Sequence, residues 1–451
     1  MAADSTDRRH DDAPGTIAGW GRISVPGREV VSEHLERATE HAVLSRGLGR
    51  SYGDSSLPPP SVGEVVTTVL ADRILAFDDE TGLLRAEAGL SLFTMNRVLL
   101  PRGWFVPVTP GTQFVTLGGM VASDVHGKEH HARGCFGEHV TRLRMRVADG
   151  RVLWCSDAEH RDLFRATIGG MGLTGHILEV EVRMLRTRSP WIWQESRRVD
   201  DIDEYIDALK DAAGRFPYTV GWIDCLTRGA NMGRGILMAG DWADAGRAPK
   251  RTPRPLPRVT MPLELPSAAV DRWSVRAFNA GFYWKHLARK HEGIVHWESF
   301  FYPLDAVRSW NRIYGRRGFT QWQGVVPESA GRGAARRILE ILTSRGGASF
   351  LCVIKDCGPE GKGLLSFPMQ GISIALDIPV RDDTQSLIDA LNEQVLREGG
   401  RIYLTKDQFT RPEHFRAMEH RLPEFQRVRA AWDPEGRIRS AQSVRLFGDK
   451  P

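Results

Sequence analysis

Apolar and polar residues alternate in short runs along this chain, and segments with apolar residues at helical spacing lie between those runs. Residues 83–88 (Leu-Leu-Arg-Ala-Glu-Ala) and 177–184 alternate as half-buried strands do, and residues 65–70 form a short β-branched run. Residues 92–100 are apolar at helical spacing until Pro101-Arg102-Gly103 breaks the pattern. Runs at 143–147 and 151–154 flank Asp149-Gly150, which predicts a hairpin closed by a two-residue loop. These signals make roughly the first 190 residues an α+β unit.

Beyond Ser189-Pro190 the texture changes. The pattern predicts a helix over 200–213 and a strand over 218–225 around Trp222. Residues 247–266 are basic and dense in proline, which excludes helix and central strand and predicts an exposed, mobile loop. Residues 271–290 mix Trp273, Phe278, Phe282 and Trp284 with Arg272, Arg276, Lys285, Arg289 and Lys290. Such a segment is an amphipathic helix packed on the core or, alternatively, one lying on an anionic membrane. Strands are expected at 319–326, 350–355 and 372–378, and helices at 333–344 and 383–398, compatible with an antiparallel sheet. The chain beyond residue 401 is helix-rich, with a turn at Trp432-Asp433-Pro434.

Length and composition narrow the class. A chain of 451 residues exceeds one ordinary core, so two or three domains are expected. With 41% hydrophobic and 26% charged residues it reads as a soluble globular protein without a membrane-spanning run. Residues 1–14 are polar and charged, with the look of a flexible tail and not of a signal peptide. Cys135, Cys155, Cys225, Cys352 and Cys357 lack C-x-x-C spacing, which fits a reducing cytoplasm better than a disulfide framework or a zinc site. A net charge of +5 is too modest at this length to indicate nucleic acid, and leaves an anionic membrane or substrate open.

The candidate chemistry starts with glycine. Arg46-Gly47-Leu48-Gly49-Arg50-Ser51-Tyr52-Gly53-Asp54 holds three glycines within seven residues, alongside two arginines. Glycine permits close approach of the backbone, and consecutive N–H groups can then cradle a diphosphate. Two further glycine segments follow, Pro110-Gly111-Thr112 running into Thr116-Leu117-Gly118-Gly119, and residues 169–175. A dinucleotide-binding Rossmann turn would need a helix directly after its glycines, and here Pro58-Pro59-Pro60 follows. Any one of these loops by itself could be a simple turn. Three in order suggest a large phosphate-bearing cofactor.

The motifs then align with a known family. GWGR at 19–22, RGLGRSYGD at 46–54, PGT at 110–112, HGKxHH at 126–131 and FGxHV at 136–140 appear in order. They continue with GGxGLTG at 169–175, FYPLD at 301–305, WNRxYG at 310–315, Gln321-x-Gln323, LSFP at 365–368 and Tyr403-x-x-Lys406-Asp407. Over nearly its whole length the chain resembles the flavoenzymes of the vanillyl-alcohol-oxidase superfamily, and within them the decaprenylphosphoryl-ribose oxidase branch. The resemblance implies a two-lobed α+β fold: an FAD-binding domain over 15–190, a substrate domain with an antiparallel sheet over 191–400, and a segment over 401–451 that returns to the first.

By similarity, Arg46, Gly47, Leu48, Gly49, Arg50, Ser51, Tyr52 and Gly53 hold the pyrophosphate of FAD. Pro110, Gly111, Thr112, Thr116, Gly118, Gly119, Ala122, Ser123 and Gly127 line the rest, while Gly172, Thr174, Ile177 and Tyr403 finish the site. Relatives that bond flavin covalently place a histidine about where Arg50 sits, so non-covalent FAD is expected and His139 is taken as structural. In this family a hydride leaves a carbinol carbon as the hydroxyl proton departs. Lys406, Tyr403 and His126 are the implied catalytic groups. An isolated lysine is ordinarily a solvated surface group, and Lys406 and Tyr403 would face opposite ways on one strand, so a turn between them is required. The cluster His126, His130 and His131 has no thiol or carboxylate at zinc spacing, and no metal is expected.

Lys355, Gln321, Gln323, Ser373 and Lys406 are the implied substrate contacts, suited to an anionic, hydroxyl-rich sugar. Trp222 and Tyr52 are either a wall of that pocket or plain core. Members of the branch carry a cysteine where this chain has Ala375, and commonly Asn where it has Ser373. The implied reaction is oxidation of the ribosyl 2′-hydroxyl of a polyprenyl-phosphate ribose to a ketone, in the cytoplasm or peripherally at the inner face of the membrane. A short-chain NAD(P)H-dependent reductase would complete the epimerisation towards an arabinose donor for the cell wall. The alternatives are a soluble aldonolactone or alditol oxidase using oxygen, and a flavin-binding protein without catalysis.

Overall fold

The computed structural model describes residues 15–251, 253–266, 269–347 and 349–451, so the tail expected over 1–14 lies outside the described residues. The chain is a mixture of helices and mainly antiparallel sheets. In the first half, Leu83–Glu87 pairs with His176–Arg183 at the centre of a five-stranded antiparallel sheet. Leu84 and Ala86 stand opposite Val182 and Val180, and all four are fully buried, as the alternation demands. Leu92–Leu99 is the expected helix: Ser91 caps it by accepting from the Thr94 amide, and Leu92, Met95 and Leu99 face inward. A small parallel sheet joins Arg28–Val31, Glu64–Thr67 and Ser45–Arg46, and it launches the first glycine loop. Its middle strand is buried from Val65 through Thr67, the continuous burial that parallel pairing requires.

The second half is built on an eight-stranded antiparallel sheet running from Lys290–His296 at one edge to Arg401–Ile402 at the other. Trp322, Ile354, Ile374 and Leu376 point to one face and pack with Tyr205, Leu209, Ile338, Leu342 and Leu391 of the covering helices Ile202–Ala213, Gly333–Ser344 and Thr384–Arg397. By the two-residue period, Gln321, Gln323, Ser373 and Lys355 belong to the opposite face. Among the described residues, no helix is long and apolar enough to cross a membrane.

Three expectations need correction. The hairpin between Val140–Arg146 and Val152–Ser156 forms, but its loop has three residues, Ala148 to Gly150. The Val147 amide bonds the Arg151 carbonyl, and Gly150, at φ 92°, closes a turn onto the Val147 carbonyl. The helix expected to reach residue 290 spans only Arg272–Lys285, and Lys290–His296 becomes the edge strand paired with Trp191–Val199. The proline-rich stretch is exposed in large part, yet it is tied down. Val259–Thr260 pairs with Val307–Arg308, and the Leu256 amide and Arg258 both reach the buried Glu298 carboxylate.

Candidate active site

The three glycine segments converge on the short helix Leu117–Ala122. At Gly47 a Cβ would lie 2.0 Å from Oγ1 of Thr116, the residue that caps this helix, so the first loop can reach the second only as glycine. The amides of Gly169 and Met171 bond the carbonyls of Val121 and Ala122, which joins the third loop to the same helix. Among the described residues, the amides of Leu48, Gly49 and Ser51 donate to no main-chain carbonyl. A Cβ on Gly111 or Gly172 would meet nothing within 4 Å, so both glycines face open space. Free amides, open glycines and the partly buried Arg50 form a donor set that fits the diphosphate of FAD, whereas the expected Arg46 is buried, donating to the Ala18 carbonyl at 3.0 Å and pairing with Glu29 at 3.2 Å. Arg50 also lies 4.5 Å over the Trp20 ring and donates to the Leu48 carbonyl. Thr174 shares a hydrogen bond of 2.8 Å with Thr167 in the core, so any contact it makes with a ligand comes from its main chain.

Tyr403 and Lys406 follow the two-residue strand Arg401–Ile402, and the Lys406 amide turns back to the Tyr403 carbonyl at 3.0 Å. This is the turn that bringing both side chains to one site required. The Tyr403 hydroxyl donates to the Ser123 carbonyl at 2.8 Å, and its ring stacks on Phe367 and meets His126 edge-on. Burial holds its phenol well above the ordinary range, so Tyr403 remains neutral. Lys406 is half-buried, with Nζ 3.9 Å from the centroid of the Tyr52 ring. Burial pushes it down to about 7; Lys355 adds to the fall and Asp377 opposes it.

Asp377 is fully buried on the open face, where burial raises its carboxyl to about 7. It accepts from Gln321 Nε2 at 2.6 Å and from the Tyr314 hydroxyl at 3.3 Å. Gln323 Nε2 donates at 3.1 Å to His126 Nε2 and at 3.2 Å to Ser373 Oγ, which uses both of its hydrogens. With Nε2 accepting, a neutral His126 carries its proton on Nδ1. That atom is buried without a partner among the described residues. Burial first, and then Lys355, His130 and Lys406, hold His126 well below the usual imidazole range. His126 is therefore a neutral donor and not a base.

Lys355 stands across the ladder from Ser373 and is lowered by burial, while Ala375 lies between Gln323 and Val353. Trp222 shares this face, but its ring packs 4.7 Å from Phe282 and its Nε1 is spent on the Phe350 carbonyl. It seats the helix Arg272–Lys285. His130 and His131 bond Gly358 and Phe216, and His139 bonds the Arg133 carbonyl. Sequence reasoning missed Asp377, Lys128 and Glu129 as site residues. Lys128 donates to the Phe301 carbonyl at 3.0 Å and is pushed down to about 7 by burial, and buried Glu129 is raised to about 7. The signal for Asp377 is that it continues the two-residue period of Ser373 and Ala375; Lys128 lies within the HGK motif.

Comparison with known proteins points to the same cofactor. Residues 28–156 match the family described as FAD binding domain. Decaprenylphosphoryl-beta-D-ribose oxidase of Mycolicibacterium smegmatis is 34% identical over 449 residues, covering 95% of this chain and 97% of that protein. A Streptomyces coelicolor protein from the mprA 5′ region is 33% identical over 79% of this chain and 100% of its own length. A putative D-arabinono-1,4-lactone oxidase of Neurospora crassa is 29% identical over 32% of this chain and 26% of its own.

Proposed function

Because the chain belongs to the FAD-dependent oxidoreductase family that includes decaprenylphosphoryl-β-D-ribose oxidase, we propose that it oxidises a secondary hydroxyl of a sugar to a ketone. The substrate that suits the site best is a polyprenyl-phosphate ribose, oxidised at the ribosyl 2′-hydroxyl. The observation that carries this proposal is Lys406, a half-buried amine brought down to about 7 beside amide donors and a second lysine. FAD, when bound, supplies the hydride acceptor, which no side chain here can provide. Neutral Lys406 Nζ takes the hydroxyl proton as the carbinol is oxidised. Gln321 and Gln323, held by Asp377, Ser373 and His126, orient the sugar. Lys355 and Lys128 balance an anionic phosphate, and the Nδ1–H of His126 is a buried donor in the site.

We place this site between two lobes of vanillyl-alcohol-oxidase type, an FAD domain over 15–190 and a substrate domain over 191–400, with 401–451 returning to the first. FAD is held without a covalent bond, since Arg50 offers no bond-forming nitrogen at that position. Acid precipitation tests this: a yellow supernatant is expected, and a yellow pellet contradicts it. Trp273, Trp284, Leu263 and Leu287 are more than half exposed among Arg272, Arg276 and Lys285, which supports peripheral contact with an anionic membrane carrying the polyprenyl substrate. A short-chain reductase then consumes the ketone.

Ala375 and Ser373 favour a second possibility, a soluble aldonolactone oxidase, because both positions shape the substrate face. Flavin bleaching separates the two. Bleaching by a polyprenyl-phosphate ribose, with co-sedimentation on anionic vesicles, is expected; bleaching by an aldonolactone alone, without vesicle binding, contradicts the proposal.

A further inference from the structure

The helix Ala441–Phe447, capped by the reciprocal Ser440–Ser443 pair, lies where the first glycine loop meets the Lys406 turn. We propose that Arg445 is a positioning residue that locks these two segments together, so that one side chain sets both the cofactor cradle and the placement of the proton acceptor. Its Nε and one terminal nitrogen grip the two oxygens of Asp54, each at 2.8 Å, at the end of the glycine loop. The same terminal nitrogen reaches Asp407, next to Lys406, at 2.8 Å, and the other bonds the Thr410 carbonyl at 2.6 Å. Asp54 and Asp407 are both over 90% buried. A planar five-donor fork satisfies this arrangement, and the single ammonium of lysine does not.

Four other contacts run along the same seam. The Tyr52 amide bonds the Thr405 carbonyl at 3.0 Å, and Gln442 Nε2 bonds the Leu404 carbonyl at 2.8 Å. A Cβ on Gly53 would lie 1.9 Å from the Asp407 carbonyl oxygen, so the two loops touch without room for a side chain. The Lys406 ammonium lies over the Tyr52 ring of the same glycine loop. The charged groups that act on Lys406 are Asp377 and Lys355, and Arg445 acts on it only through Asp407 and the turn.

The proposal rests on Lys406 as the proton acceptor and on the glycine loop as the dinucleotide cradle. Its test uses Arg445→Lys and Asp407→Asn in the holoprotein. Release of FAD on dilution is followed by fluorescence, and the pH midpoint for acylation of Lys406 is read by mass spectrometry. Arg445→Lys is expected to weaken FAD binding about tenfold and to move the labelling midpoint up by about one pH unit, because a loosened turn admits water to the ammonium. Asp407→Asn is expected to shift both in the same direction by less. A lower melting temperature with FAD affinity and labelling midpoint at wild-type values would make Arg445 purely structural and overturn the proposal. Flavin reduction abolished in Lys406→Ala but untouched in Arg445→Lys would keep the base and discard the lock. Reduction unchanged in Lys406→Ala would instead remove the base itself.

Discussion

In the glycine-rich half, the amides of Leu48, Gly49 and Ser51 donate to no main-chain carbonyl among the described residues and, beside Arg50, are left for a ligand. On the open sheet face the groups left are side chains whose proton affinities burial has moved: Lys406, Lys355 and His126, with Asp377 beneath them. A backbone cradle has no titrating group to lose, so it fails only when its shape is spoiled. A side-chain site keeps its shape through conservative changes and fails when a proton is misplaced. Binding and chemistry should therefore separate cleanly under mutation.

The largest expected effect is on the chemical side. Lys406→Ala should lower the rate of flavin reduction about a thousandfold, in the range of a lost general base, while FAD stays bound. Stopped-flow reduction beside the flavin spectrum checks both halves of that statement, and a colourless variant would blur the separation. Gly53→Ala should do the reverse. Its Cβ would sit 1.9 Å from the Asp407 carbonyl oxygen, so the loop must shift, and FAD affinity should fall about a hundredfold. Titration of the stripped protein with FAD measures that loss.

Asp377→Asn sharpens the comparison within the sheet face. Asp377 raises the proton affinity of Lys406, so its neutralisation should move the midpoint of the pH–rate profile towards acid, by up to about one unit. A shift towards alkali would mean that Asp377 acts on Lys406 by some other route. The smallest effect is expected at Ala375, which makes no polar contact of its own. Ala375→Cys adds one sulfur to the substrate face and should change reduction by less than about threefold, with a new site for thiol labelling.

What the sequence disclosed follows the same division. The glycine loops were legible because a backbone that must approach closely leaves glycine in the chain itself. Strands such as Leu83–Glu87 and Gly371–Pro379 were legible from alternation and β-branched runs. Lys406 and Tyr403 are implied by the family resemblance, through Tyr403-x-x-Lys406-Asp407, and the turn between them follows from where each side chain has to point. Asp377, Lys128 and Arg445 were not found as partners, since their roles lie in contacts across the fold. Gln321 meets Asp377 56 positions away, and Arg445 meets Asp54 391 positions away. The proline-rich stretch reads as mobile from sequence because its anchor, the buried Glu298, lies beyond any local pattern.

The most direct test of the whole scheme is the rate of anaerobic flavin reduction by a polyprenyl-phosphate ribose between about pH 5.5 and 9. With Lys406 as the proton acceptor, the rate should climb about tenfold per unit at low pH, bend near pH 7 and stay level above it. A profile flat through neutrality, or one that Lys406→Ala leaves in place, would contradict it.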